Sequence, residues 1–363
     1  MKAVVVEPGV KNSVRVAEVP VPAAAGDEVL VKSTRVGVDG TDKEINAALY
    51  GEPPEGEDYL VLGHEAVGRV VEVGASVQGF SVGDLVVPTV RRPDDCPYCQ
   101  AGQNDVCIKG DYKERGIKGL HGYMSEFFAE STEWLVRVPE ELERTAVLLE
   151  PLSVVEKGIR VAWKAQERMA WQPKVALVTG VGPLGFLASL VLATMGLDVH
   201  AYSMEREDDF RVGLLRQVGV RYISARDVEL EEVPSLVGEN VDFIFEATGN
   251  SVVALGVVPV LGSNGALCLT GVTGGHKNFT LCADCFNIGM VLKNKLMFGT
   301  VNANVVDFKR GVEHMGKIEA AHPGLLERII TRRLSIDEED AIRAAMSSPA
   351  GVKTVVEFGG REV

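Results

Sequence analysis

The chain has 363 residues, length for two domains of ordinary size, each able to bury a core. Its 46% hydrophobic, 24% charged and 6% aromatic residues are those of a globular protein and exclude a disordered, collagen-like or disulfide-scaffold chain. With 37 Lys and Arg against 51 Asp and Glu, the net charge of −14 repels phosphate backbones and anionic head groups, which argues against nucleic acid as a partner.

The opening MKAVVVEPGV lacks the apolar core and cleavage site of a secretory signal. No apolar run approaches the roughly 20 residues of a membrane span, so a cytoplasmic protein with no membrane partner is expected. Val4–Val6, Glu28–Lys32 and Glu65–Val73 read as strands broken by Gly and Pro, which makes the first 150 residues a β-rich, barrel-like domain. Asp39-Gly-Thr41-Asp42 follows a strand, Gly63-His64-Glu65 begins another, and Glu150-Pro151 ends an apolar run. Each of these is ordinary alone, as a loop histidine or a turn acid is. Cys96-x-x-Cys99 with Cys107 comes next, and none of the six cysteines precedes it. In a cytosolic chain this spacing points to a metal site or buried thiols before disulfides.

From Lys174 the texture becomes α/β: KVALVT as strand, GVGPLG as turn, FLASLVLATMG as helix and DVHAYS as strand, with VDFIFEATG and ALCLTG further on. This alternation predicts a doubly wound parallel sheet. Gly180, Gly182 and Gly185 form G-x-G-x-x-G between strand and helix, with Val181, Pro183 and Leu184 filling the turn. That context makes it a dinucleotide fingerprint, in which free amides and the helix dipole receive a pyrophosphate. At the end of the second strand the position that selects NAD by an acid carries neutral Ser203, and Arg206 follows within reach of a 2′-phosphate. NADP is therefore favoured, while Glu205 nearby leaves use of NAD open. Cys282 and Cys285 fall where a helix beside the parallel sheet is expected, and there they read as buried thiols. EEDAIRAAM reads as a helix and the terminal VKTVVEF as a strand of either domain.

Taken together, VGVDGTD (36–42), VLGHEAVGRVVEVG (61–74), VPTVRRP (87–93), ERGIKGLHGYMSEF (114–127), LLEPLSVVEK (148–157), the glycine turn, FEATG (245–249) and TVN (300–302) resemble the zinc-containing medium-chain dehydrogenases, within them the glucose dehydrogenase branch. The resemblance implies a discontinuous GroES-like catalytic domain, residues 1–155 and 308–363, with a Rossmann domain, 156–307, inserted. It implies a catalytic zinc held by Asp39, where most relatives use Cys, by His64 and by Glu150, with Glu65 beside it as an alternative ligand. It implies a structural zinc lobe of Cys96, Cys99 and Cys107 completed by Asp94 or Asp95, of which Asp95 is assigned; a lobe that folds without metal is the alternative. Thr270, Gly271, Val272, Thr300, Val301 and Asn302 join the cofactor contacts.

The activity implied is NADP-preferring oxidation of an aldose, glucose or a close epimer, at C1 to the lactone. Thr41, Glu65 and Glu150 would serve catalysis, Thr41 as the first step of a proton relay, and Thr41, Glu114, Glu150 and Asn302 would hold the sugar. Glu114 has an ordinary alternative as a solvated loop acid. Val154 stands where some relatives carry Asp, which leaves the preferred sugar undetermined, and Glu44 stands where some carry a relay His. A zinc polyol or secondary-alcohol dehydrogenase is the alternative enzyme, and a noncatalytic NADPH-binding protein the alternative of another class. A homo-oligomer, dimer or tetramer, is expected.

Overall fold

The run Glu28–Val38 shows how the first part of the chain folds. It is 11 residues long, rich in Val, and buried on both faces along much of its length, so it becomes the centre of a sheet and extends six residues beyond the strand expected there. In the computed structural model, which describes residues 1–272, 276–347 and 351–359, one edge of this strand pairs with Glu65–Val73. Its other edge is shared: Phe127–Ser131 takes the first half and Lys353–Glu357 the second, all antiparallel. The sheet has seven strands and ends on Leu135–Arg137 and, at the far side, Ile330–Ser335. Ile330–Ser335 runs parallel to Lys353–Glu357, with helix Glu339–Ser347 between them in sequence. A small sheet of Lys2–Val6, Arg15–Glu18 and Leu60–Val61 completes the β-rich part. Its core is aliphatic: Val4, Val29, Val31, Val36, Ile45, Leu60 and Leu62 are all buried.

Two compact units result, Met1–Ser153 with Asn302–Gly316 and Leu326–Val363, and Val154–Val301 with Lys317–Leu325. Of the expected catalytic segment 308–363, residues 348–350 and 360–363 lie outside the described ones.

The second unit is a six-stranded parallel sheet in the spatial order Arg221–Ser224, Asp198–Ser203, Val175–Thr179, Phe243–Glu246, Ala266–Leu269, Leu296–Gly299. Numbered along the chain this is 3-2-1-4-5-6, the doubly wound order, with its crevice where the first and fourth strands diverge. Val175–Thr179 is wholly buried, as a central parallel strand must be, and the following helix Pro183–Thr194 is apolar around most of its circumference for the same reason.

Candidate active site and metal centres

The dinucleotide fingerprint lies at the carboxyl end of Val175–Thr179, in the crevice. Gly180 adopts φ +91°, which permits the sharp turn. Gly185 lies so close to the Gly180 backbone that any Cβ would displace it. Gly182 differs from both: a Cβ there meets no atom within 4 Å, and its φ of −65° suits any residue. The open space belongs to whatever lies over the turn. Gly182 caps helix Pro183–Thr194 with no side-chain hydrogen bond and Pro183 follows at the first position, so the amides of Leu184 and Gly185 are left to an anion. An NADP pyrophosphate fits this cradle.

Around the end of Asp198–Ser203 the Ser203 hydroxyl donates to Glu205, which is also ion-paired with Arg211 at 3.0 Å. Glu205 is therefore engaged by its own neighbours. Arg206 is largely exposed and paired with Asp208, and Arg226 donates to the Met204 carbonyl. Arg206, Arg211 and Arg226 line one concavity. Sequence reasoning found only the first, since the other two are brought in by the next helix and strand. Thr270, Gly271 and Val272 follow Ala266–Leu269, and Thr300 and Val301 follow Leu296–Gly299, all at the carboxyl ends of parallel strands. Thr270 Oγ1 donates to the Glu246 carbonyl, and the Val301 carbonyl accepts from Lys157.

In the first unit the turn after Glu28–Val38 places Asp39 as N-cap of helix Gly40–Asn46. Asp39 and Asp42 form a reciprocal capping box, each carboxylate accepting from the other's backbone N–H at 3.0–3.1 Å. Gly63 N donates to Asp42 Oδ1 at 3.2 Å, which ties the loop before His64 to this helix. His64 Nε2 then lies 3.5 Å from Asp39 Oδ2, while its buried Nδ1 has no hydrogen-bond partner among the described residues. Glu65 opens its strand and Glu150 lies in the first turn of helix Leu149–Gln166. Ligand atoms of His64, Glu65 and Glu150 lie within 4.8 Å of one another, and so do those of Asp39, Asp42 and His64.

This group is crowded with negative charge. Burial, reinforced by the neighbouring Asp39, pushes Asp42 up to about 7. Burial pushes Glu150 up to about 8 against the pull of His64, and raises Glu65 against the pull of Lys353. Asp39 is held low in spite of burial by His64 and then Lys353. Four carboxylates converging on one imidazole call for a cation. Hard oxygen donors with one nitrogen accept zinc. Sequence reasoning missed Asp42 as a member of the group and Lys353 as its cationic neighbour.

Thr41 follows in the same helix. The Tyr50 hydroxyl is near both Thr41 and Glu44; burial together with Glu44 pushes its pKa up, and Thr41 opposes the shift. Glu114 is not a solvated loop acid: its side chain is 12% exposed, Arg91 donates to its Oε1 at 2.9–3.0 Å, and Asn302 Nδ2 donates to the same oxygen at 2.7 Å. The two residues expected to share the sugar are thus in contact, and Asn302 takes φ +61° to reach.

The cysteine lobe gathers Asp94, Cys96, Cys99 and Cys107 with ligand atoms within 4.8 Å. Cys107 Sγ donates to Asp94 Oδ2 at 2.9 Å and lies 3.8 Å from Cys96 Sγ. Asp95 is not in the group, contrary to its assignment from sequence. The Asp94 carboxylate is folded inward by accepting from Cys96 N at 2.9 Å, whereas Asp95 is on the surface in an ion pair with Lys109. Three thiols and a carboxylate fit a tetrahedral zinc. Cys282 and Cys285 also depart from expectation. They are exposed at the start of helix Ala283–Leu292 and joined as a disulfide, and the same helix leaves Ile288, Val291 and Leu292 uncovered.

Comparison with known proteins gives one answer along the chain. The alcohol dehydrogenase GroES-like domain family matches residues 25–140, and the family described as glucose dehydrogenase C-terminus matches 143–358. The glucose 1-dehydrogenase of Methanocella arvoryzae is 44% identical over 361 residues, 99% of this chain and all of that one. That of Thermoproteus tenax is 43% identical over 342 residues, 93% of this chain and 94% of the relative. The structure of Haloferax mediterranei glucose dehydrogenase in complex with NADP, Zn and gluconolactone superposes with a TM-score of 0.90 at 37% identity, covering 99% of this chain and all of that one.

Proposed function

The chain belongs to the zinc-containing medium-chain dehydrogenases, in their glucose 1-dehydrogenase branch, and we propose from this that it oxidises D-glucose or a close epimer at C1 to the lactone, with NADP as preferred acceptor. The observation that carries the reading is a pair of thiolate-free donor groups that share His64, with Asp39 and Asp42 in one and Glu65 and Glu150 in the other, in a chain that also has an open phosphate cradle at Gly182. When bound, zinc supplies a Lewis acid for the C1 hydroxyl and NADP supplies the hydride acceptor.

The chain's own residues do the rest. Asp39, His64 and Glu150 hold the metal, with Glu65 adjacent. Thr41 takes the hydroxyl proton and passes it through Tyr50, 42% exposed, to Glu44, which is the relay end that the sequence alone leaves undefined. Glu114 and Asn302 pair with sugar hydroxyls, and the Arg91 ion pair fixes the Glu114 carboxylate in place. A pocket built on such acceptors rejects analogues lacking the hydroxyl. Gly180, Val181, Gly182, Pro183, Leu184 and Gly185 receive the pyrophosphate, and Ser203, Arg206, Arg211 and Arg226 surround the adenosine 2′-phosphate. Asp94 with the three cysteines holds a structural zinc.

The division into a discontinuous domain, 1–155 with 308–363, and an inserted one, 156–307, is part of this reading. So is a homo-oligomer, supported by the uncovered Ile288, Val291 and Leu292 beside the outermost strand Leu296–Gly299. Among the described residues no helix is long and apolar enough to cross a membrane.

A panel of aldoses, polyols and simple alcohols, read by NADPH and NADH formation with and without a chelator, tests the activity. Aldose oxidation favouring NADP and lost on chelation is expected. Turnover of sorbitol or secondary alcohols with none of aldoses would assign the chain to the alternative enzyme.

A further inference from the structure

One buried cation beside the metal-binding group has no part in the chemistry above. Lys353, on the returning strand Lys353–Glu357, is 2% exposed, and its ammonium is ion-paired with Glu65 Oε2, whose side chain is 3% exposed. Burying both charges is costly unless they meet, so the fold must bring them together with some accuracy.

The sheet does this through a glycine. Gly37 sits in the central strand, opposite Glu65 on one edge and opposite Val355 on the other. Lys353 shares a face with Val355 by strand alternation, so its side chain runs diagonally across the central strand at Gly37 to reach Glu65. A Cβ at position 37 would stand 2.9 Å from Lys353 Cε and overlap the Glu65 carboxylate. Gly37 therefore leaves a channel through which a cation from the C-terminal strand reaches a carboxylate at the metal site.

Glu65 needs such a partner because it is itself within ligand range, its carboxylate grouped with His64 and Glu150 within 4.8 Å. A catalytic zinc keeps one position for substrate beyond its three protein ligands, and Glu65 is able to fill it, whereas Asp42 is already held by the Asp39 and Gly63 amides. We propose that Lys353 is a positioning residue that holds Glu65 off the metal across Gly37, so that Asp39, His64 and Glu150 bind the ion and the remaining position stays open. Without Lys353 the buried Glu65 loses its ammonium partner, and the metal is the cation left within its reach.

The inference rests on the metal reading above, and cobalt(II) substitution separates the two. The cysteine lobe contributes equally in every variant, so differences in visible absorption report the oxygen and nitrogen site, where a fourth protein ligand in the open position changes the ligand field and shifts the d–d bands. Lys353→Met is expected to shift these bands and, by closing the open position, to lower kcat by about 10–100-fold, the usual cost of losing a group that orients a ligand. Lys353→Arg, which keeps the pair, should stay close to the parent. Glu65→Gln alone should leave the spectrum as in the parent, and adding it to Lys353→Met should restore the parent spectrum while leaving no charge unpaired. A changed spectrum in Glu65→Gln alone overturns the proposal, because Glu65 would then already be a ligand. A folded Lys353→Met with the parent spectrum also overturns it. A parent in which His64→Ala removes no cobalt overturns the metal reading itself.

Discussion

Gly182 allows the cofactor site to be tested apart from the fold. Replacement by Ala puts a methyl where no protein atom lies within 4 Å, at a φ of −65° and ψ of −178° that Ala adopts freely. The apo protein loses no contact, and the stiffer unfolded chain adds about 0.4–1 kcal/mol of stability. For a unit of this size that is a Tm change of about +1 to +4 °C. The same methyl stands where a pyrophosphate must approach the free amides of Leu184 and Gly185. Losing one charge-assisted hydrogen bond costs about 1.5–3 kcal/mol, which is roughly a 10–150-fold rise in the Kd for NADP. Gly185→Ala is the contrasting control, since its Cβ would be driven into the Gly180 carbonyl and the turn must shift. It should lower the Tm as well as weaken NADP. Thermal melts and quenching of protein fluorescence by NADPH measure both quantities. A Gly182→Ala protein that is properly folded and binds NADP as tightly as the parent would refute the cradle.

Asp39→Ala or His64→Ala should remove one zinc per chain by metal analysis, leave the other in the cysteine lobe, and abolish turnover without unfolding. Asp94→Ala should release the other zinc and lower the melting temperature, whereas Asp95→Ala should do neither, because its partner is the exposed Lys109. Tyr50→Phe removes the hydroxyl proposed to carry the proton from Thr41 to Glu44, and the kcat near neutral pH should fall by about 10²-fold or more, with KM for the sugar little changed. Arg211→Ala should raise the KM for NADP by about 10-fold or more and leave that for NAD unchanged or improved, since it also frees Glu205 to accept from a ribose hydroxyl.

How much of this was legible in the sequence depends on the range over which each feature is decided. The glycine fingerprint is local: strand, turn and helix follow each other within a dozen residues, and the turn can form in only one way. Asp39, His64 and Glu150 could be gathered only through the family resemblance, since each alone is an ordinary residue. Asp94 and Asp95 could not be told apart because adjacent carboxylates differ in which one the turn folds inward, and that follows from a single hydrogen bond to Cys96 N. Cys282 and Cys285 read as buried because FNIGMVL is apolar, but the composition of a helix does not say whether its own chain covers it. Lys353 was invisible, since its partner lies 288 positions earlier in the chain and is reached through the register of two strand pairs.

The two metal groups differ in kind, and their supports follow. In the lobe, Asp94, Cys96, Cys99 and Cys107 are drawn from one short stretch whose helix caps and turns already point the ligands inward, as Cys96 does in capping helix Pro97–Gln100. Three thiolates and a carboxylate saturate a tetrahedral ion, which leaves nothing to react and little to regulate. At the proposed catalytic group the donors come from a helix cap, a loop and a helix start, and they are carboxylates and an imidazole with no thiolate among them. Oxygen donors are harder and interchangeable, so a surplus carboxylate there can compete for the ion in a way that a distant thiol cannot. A site made this way needs a device that decides which carboxylates bind. The pair of Lys353 and Glu65 over Gly37 is such a device, and it requires the C-terminal strand to return to the centre of the first sheet. On this view, truncation before Lys353 should leave the cofactor site intact and disorder the metal site.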